Sequence, residues 1–93
     1  MESQNGGRAH PPFTLTEHAA QAVVERAIDP AWVARVLLDP DRTEADRNDP
    51  ALRHALGRIA ERDGRVLRVV YNHLRKPPRI VTVYFDRTQR RKL

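Results

Sequence analysis

Arg68 stands inside an apolar run, Val66-Leu67-Arg68-Val69-Val70, where a guanidinium loses its hydration unless an anion or a set of acceptors meets it. Strand alternation puts Val66, Arg68 and Val70 on one side of that run and Leu67, Val69 and Tyr71 on the other. In a second run, residues 79–87, the same alternation sets Ile80, Thr82 and Tyr84 against Val81, Val83 and Phe85. A cation and two hydroxyls therefore fall among aliphatic neighbours on one sheet face, a set able to clamp a phosphate or another anion. The same residues also admit structural readings. Arg68 can pair with Asp86 or Glu61 on a neighbouring strand, and Thr and Tyr are favoured strand residues in any case.

Of the four histidines, His18 lies where a helix begins, and an imidazole there can serve as an acid or base or simply bond the helix start. Arg26 follows eight positions on, a rotation of ~80° that leaves both on one side of a helix. It can bind phosphate, or pair with Glu25 or Asp29. His54 falls in an ambiguous strand and His73 in a turn. No two histidines stand four apart, so no zinc site is predicted. The chain has no Gly-rich phosphate loop, nucleophile elbow or dinucleotide fingerprint, and no cofactor is implied.

The elements that must position these groups follow from pattern. Residues 1–12, with Gly6-Gly7 and Pro11-Pro12, predict a disordered tail. A short strand at residues 13–15 precedes a helix capped by Thr16 and running to Ala27. Asp29 caps a second helix with Pro30 at its first position, continuing through Trp32, Val33, Val36 and Leu37. Asp39-Pro40 ends it. The charged connection after it has room for a short strand over residues 42–45. Residues 52–62 alternate as a strand although their alanine and leucine content also permits a helix; the strand is favoured because Asp63-Gly64 is a hairpin turn signal. Residues 65–72 and 79–87 are strands, with a turn between them. The tail after Arg87 is expected to fray or to extend the last strand.

This order predicts a single α+β domain over residues 13–87, two N-terminal helices packed on one face of a three- or four-stranded antiparallel sheet, with a basic tail at residues 88–93. Trp32, Val36 and Leu37 should pack on Leu67, Val69, Val81, Val83 and Phe85. The other face, with Val66, Val70 and Ile80 around Arg68 and Thr82, is too apolar for water, so a partner, a second copy or a ligand is expected to cover it.

Length and composition bound the function. Ninety-three residues suit one domain, and the absence of cysteine suits a reducing cytoplasm and excludes disulfides and thiolate metal sites. The net charge of +5 is carried almost wholly by arginine, with Lys76 and Lys92 as the lysines. An anionic partner such as nucleic acid or an acidic protein fits that balance. No apolar run reaches the ~20 residues that span a bilayer, and residues 1–10 lack a signal core, so a cytoplasmic protein without a membrane partner is expected.

His18-Ala19, Arg26 and Ile28, then Asp39-Pro40, then Leu67-Arg68-Val69-Val70 and Val81-Thr82-Val83-Tyr84 give an order and spacing that resembles the DUF4258 family of bacterial domains over roughly residues 13–87. That family looks like a branch of the small RelE and ParE type toxins, which share a fold with barnase-like and colicin-type ribonucleases. Its first helix commonly bears a histidine followed four and eight positions later by arginines. His18 and Arg26 match, while Ala22 stands at the middle position. The resemblance implies metal-independent RNA cleavage, which needs an acid, a base and cations about the phosphate. His18, Arg68 and Tyr84 would be the catalytic residues and Arg26, Arg58 and Thr82 the substrate-binding ones, with Arg68 or Arg58 standing in for the arginine missing at Ala22. A non-catalytic protein-binding module of ParE type is the alternative, as is a structural or interaction domain. The implied partners are RNA, an antitoxin or other protein, and a second copy of the chain.

Overall fold

The structure, a computed structural model, describes residues 12–93. The tail expected to be disordered falls outside the described residues apart from Pro12, which is exposed. Strand β1 is Thr14–Leu15, followed by helices α1 (Glu17–Glu25) and α2 (Pro30–Leu38), and then strands β2 (Arg42–Ala45), β3 (Leu52–Ile59), β4 (Arg65–Asn72) and β5 (Arg79–Phe85). Three-residue 3₁₀ turns, Ala60–Arg62 and Arg87–Gln89, follow β3 and β5.

Both helices begin where their capping residues dictate. Thr16 Oγ1 accepts from the Ala19 amide at 3.1 Å, and Asp29 Oδ1 accepts from the Ala31 amide at 2.8 Å; each satisfies a first-turn donor. Helix α1 ends in a Schellman turn, with Ile28 N bonding Val23 O at 2.9 Å and Ala27 N bonding Val24 O at 3.2 Å. Ala27 takes the left-handed position of that turn at φ 51°. Between β3 and β4, Asp63 and Gly64 both have positive φ, 59° and 74°, as the tight Asp-Gly turn requires.

The sheet has five strands in the order β1-β5-β4-β3-β2. Strands β2 to β5 form the expected antiparallel meander, but the sheet is mixed, because β1 pairs parallel to the outer edge of β5. Thr14 N bonds Pro78 O at 2.9 Å and Thr16 N bonds Ile80 O at 3.0 Å, so the chain spends its first strand closing an edge before it turns into α1.

The core lies between the helices and one sheet face. Ala19, Ala22 and Val23 of α1, Ile28, and Val33 and Val36 of α2 meet Ala55, Ile59, Leu67, Val69, Ile80 and Val83. Gly57 lets α2 approach closely: a Cβ built there would stand 3.0 Å from Val36 Cγ2. Ile80 corrects the expected facing. The pairing runs from Val70↔Thr82 to Tyr71↔Ile80 and skips Val81; this bulge moves Ile80 to the helix side and leaves Thr82 and Tyr84 on the other.

The second face is not left for a partner to cover. Its aliphatic members Leu56, Val66 and Val70 are 0%, 1% and 6% exposed within the chain. The C-terminal residues neither fray nor extend β5. They turn at Arg87–Gln89, Gln89 is buried and accepts a short hydrogen bond from Arg42, and Arg58 bonds the carbonyls of Arg90 and Leu93.

Candidate functional site

The six side chains expected at the site divide into three places. His18 opens α1, which runs along the edge of β5 beyond the end of β1. There the unpaired carbonyls of β5 are taken up by side chains. Thr16 Oγ1 donates to Val81 O at 3.3 Å and Arg26 Nη1 donates to Val83 O at 2.7 Å. Between them His18 Nε2 lies 3.3 Å from Thr82 Oγ1, reaching across the strand edge to the second face. His18 is exposed, Thr82 half-buried, and Tyr84 half-buried two residues further along that face. An imidazole, a hydroxyl and a phenol thus share one rim of the sheet.

Arg68 is elsewhere and differently employed. It is 7% exposed; Nε donates to Asp86 Oδ2 at 2.8 Å, and Nη1 donates to Glu44 Oε1 at 3.0 Å and stands 2.8 Å from His54 Nδ1. Across β4 and β5 it is directly opposite Tyr84. Burial works against its charge, but the bonds to Glu44 and Asp86 outweigh it, and its pKa is raised above the ordinary arginine value. Of the ion-pair partners read from sequence, Asp86 is present. Glu61 is not, being held by Arg35 through two bonds of 2.9 and 3.0 Å; Glu44 takes the second place.

His54 links Arg68 to a further carboxylate, its Nε2 lying 2.8 Å from Asp46 Oδ1. The extension of the Arg68–Asp86 pair through His54 to Asp46, with Glu44 beside it, is the part that sequence reasoning missed. A signal was present: alternation on residues 42–45 places Arg42 and Glu44 on one face, and register sets Glu44 opposite His54 and Arg42 opposite Leu56. The carboxylates respond to their partners. The Arg68 bond pulls Glu44 below its usual range against a desolvation that opposes it. Asp46 is lowered by its bond to His54 and by the amides of Asn48 and Asp49. For Asp86, burial raises the pKa, but bonds from Thr88 and Arg68 carry it below the ordinary value. A cleft of about 430 Å³ opens over this network, lined by Glu44, Asp46, Arg47, His54, Arg68 and Gln89 among others.

Arg26 and Arg58 are both anchored on backbone carbonyls, Arg58 Nη1 donating to Gly64 O at 2.9 Å. A carbonyl orients a guanidinium without neutralising it, so Val83 O leaves the charge of Arg26 unmatched while Arg68 is matched by carboxylates. Ala22, at the position where an arginine is common in the family pattern, is 3% exposed and part of the core. Among the described residues no group of three or more His, Asp or Glu side chains is placed to hold a metal ion, and no helix is long and apolar enough to cross a membrane.

A small α+β domain results, with two helices on one face of a five-stranded mixed sheet and a polar network on the other. Residues 15–85 match the family described as Domain of unknown function (DUF4258), and the chain belongs to that family. No curated protein matches the chain.

Proposed function

We propose that this domain is a metal-independent ribonuclease of RelE type, acting at the rim formed by His18, Thr82 and Tyr84. The observation that carries the reading is the exposed His18 imidazole standing 3.3 Å from Thr82 Oγ1, on the face that also presents Tyr84. His54, by contrast, has both ring nitrogens engaged. In the reaction His18 takes the ribose 2′-hydroxyl proton, the 2′-oxygen attacks phosphorus, and the 5′-oxygen leaves with a proton from the Tyr84 phenol. The products are a 2′,3′-cyclic phosphate and a 5′-hydroxyl, and water returns the proton from His18 to the Tyr84 oxygen. Thr82 orients the imidazole. Arg26, on the same side of α1 as His18 and not neutralised by its carbonyl partner, supplies charge to the phosphate. Arg68, directly opposite Tyr84 on the neighbouring strand, positions that strand.

Purified protein incubated with RNA in the presence of a chelator tests this directly. Cleavage to cyclic-phosphate ends, slowed about 10²–10⁴-fold by His18→Ala and comparably by Tyr84→Phe with the circular dichroism spectrum unchanged, is the expected result. RNA left intact by the wild-type chain defeats it. One observation favours a second reading, a non-catalytic protein-binding domain of ParE type: Glu44 and Asp86 already match the charge of Arg68, which removes it as a phosphate clamp.

A further inference from the structure

At the far end of β5 a separate cleft of about 410 Å³ is lined by Arg65, Val66, Phe85, Asp86, Arg87 and Arg90, a volume within the ~300–1,000 Å³ usual for ligand sites. We infer that this cleft binds backbone phosphates of single-stranded RNA, holding the strand that passes the His18 rim. The inference takes its ligand class from the ribonuclease reading.

The charge balance of the cleft is the first ground. Asp86 is the carboxylate among the lining residues, and both its oxygens are committed. Oδ2 accepts from Arg68 at 2.8 Å, and Oδ1 accepts from the Thr88 amide at 3.0 Å and the Thr88 hydroxyl at 2.6 Å. Among the described residues no carboxylate lies within ion-pairing distance of Arg65, Arg87 or Arg90. Three guanidiniums thus border one concavity with their charge uncompensated, which is costly for the free protein and favourable for an anion entering it. Guanidiniums present planar forks matched to phosphate oxygens.

Position is the second ground. Arg65 is already ordered, its guanidinium 4.6 Å from the centre of the Phe85 ring, so little side-chain freedom is lost on binding. Thr82, Tyr84 and Asp86 alternate down one face of the same chain segment, and four extended residues from Thr82 to Asp86 measure about 13 Å. A few nucleotides cover that distance, so a strand leaving the rim reaches the Asp86 side of the cleft, while Arg65 and Phe85 border it from the helix side.

The test is binding of a labelled RNA decamer that is 2′-O-methylated throughout and so cannot be cut, followed by fluorescence anisotropy against salt. Arg65→Ala/Arg87→Ala/Arg90→Ala should weaken binding at least tenfold and flatten the logarithmic salt slope by about 2, the release of three single-strand phosphate contacts. Arg87→Ala/Arg90→Ala, both at exposed positions, keeps the test valid should loss of Arg65 disturb folding; it should show most of the effect. A control of equal charge, Arg53→Ala/Arg75→Ala/Lys76→Ala, should change affinity less than threefold. Equal losses in the two triple variants, or no binding by the wild type, overturn the inference, as does tighter binding of a polyglutamate decamer than of RNA. Cleft-dependent binding alongside natural RNA that stays uncut sustains the cleft and removes the ribonuclease reading alone.

Discussion

The Nη1 of Arg68 and the Nδ1 of His54 stand 2.8 Å apart, and that contact fixes the state of the imidazole. Arginine has no acceptor and does not deprotonate in proteins, so Nδ1 must accept. The ring proton is then on Nε2, where it is donated to Asp46 at 2.8 Å. His54 bridges Arg68 of β4 and Asp46, the residue after β2, and so ties β2, β3 and β4 together on the face opposite the helices.

Stability should fall in acid. Glu44, Asp46 and Asp86 all have pKa values below those of free carboxyls, and Glu61, bonded by Arg35, is lowered to about 2. A depressed folded-state pKa means that the unfolded chain binds more protons between the two values. The contribution is therefore complete above the unfolded value of about 4 and is lost as pH drops through the folded ones. Urea midpoints should decline steadily as pH is lowered from about 4 to 2. A midpoint that does not move over that lower window contradicts the network.

Arg68→Lys should be nearly as damaging as removal. An ammonium on a flexible stem cannot occupy the Nε and Nη1 positions together, so either Asp86 or Glu44 with His54 loses its donor. Leaving Asp86 without its cation, held by Thr88 alone, costs about 3 kcal/mol, read as a lowered urea midpoint. A lysine variant as stable as the wild type would show that charge alone, without the fork, suffices.

Much of this architecture was legible. The caps at Thr16 and Asp29, the Asp63-Gly64 turn and a strand from Leu52 are local signals, and the structure places all of them, although the strand expected over residues 52–62 ends at Ile59 and gives way to a 3₁₀ turn. What sequence could not show depends on distant pairing. The bulge that skips Val81 leaves no mark in a run of β-formers, so plain alternation puts Ile80 on the wrong face. The parallel seat of β1 depends on where residues 78–80 lie, over sixty positions away. Arg68, a cation in an apolar run, is legible as needing an anion, and Asp86 and Glu44 supply it. Glu61 was the wrong candidate because the 3₁₀ turn after β3 carries it toward Arg35, while the β2–β3 register brings Glu44 alongside.

Ala27→Gly should stabilise the chain. Ala27 holds φ 51° at the end of α1, a conformation that costs an L-residue with a Cβ about 1–2 kcal/mol and glycine almost nothing. The greater freedom of glycine in the unfolded chain returns about 0.4–1 kcal/mol of that. A net gain of about 0.5 kcal/mol is expected, seen as a rise of a few degrees in Tm. A fall in Tm would mean that the turn tolerates alanine without strain.

Gly57→Ala should have the opposite sign. The new methyl would stand 3.0 Å from Val36 Cγ2, and Val36 is 2% exposed with a β-branched side chain that has one favoured rotamer in a helix. Neither the ring of core neighbours nor the rotamer lets it yield, so α2 must lift from β3. Overpacking of this kind costs about 1–3 kcal/mol. Combining it with Val36→Ala relieves the clash, so the double variant should be more stable than the sum of the two single losses predicts. Strictly additive losses would place the cost of Gly57→Ala somewhere other than the α2 contact.

The C-terminal residues should prove part of the folded unit. A chain ending at Asp86 loses Gln89, buried beside Arg42, and the carbonyls of Arg90 and Leu93 that hold Arg58. It also loses the Thr88 bonds to Asp86, which leaves that carboxylate dependent on Arg68 alone. Arg42 Nε is already buried without a partner, and removing Gln89 would leave Nη2 of the same guanidinium with Glu44 Oε2, at 2.9 Å, as its one acceptor. Water entering to satisfy these groups opens the face that covers Leu56, Val66 and Val70. The shortened chain should therefore bind a hydrophobic dye such as anilinonaphthalene sulfonate and unfold at lower urea. A shortened chain with unchanged midpoint and no dye binding would mean that the side chains of β2 and β3 suffice to seal that face.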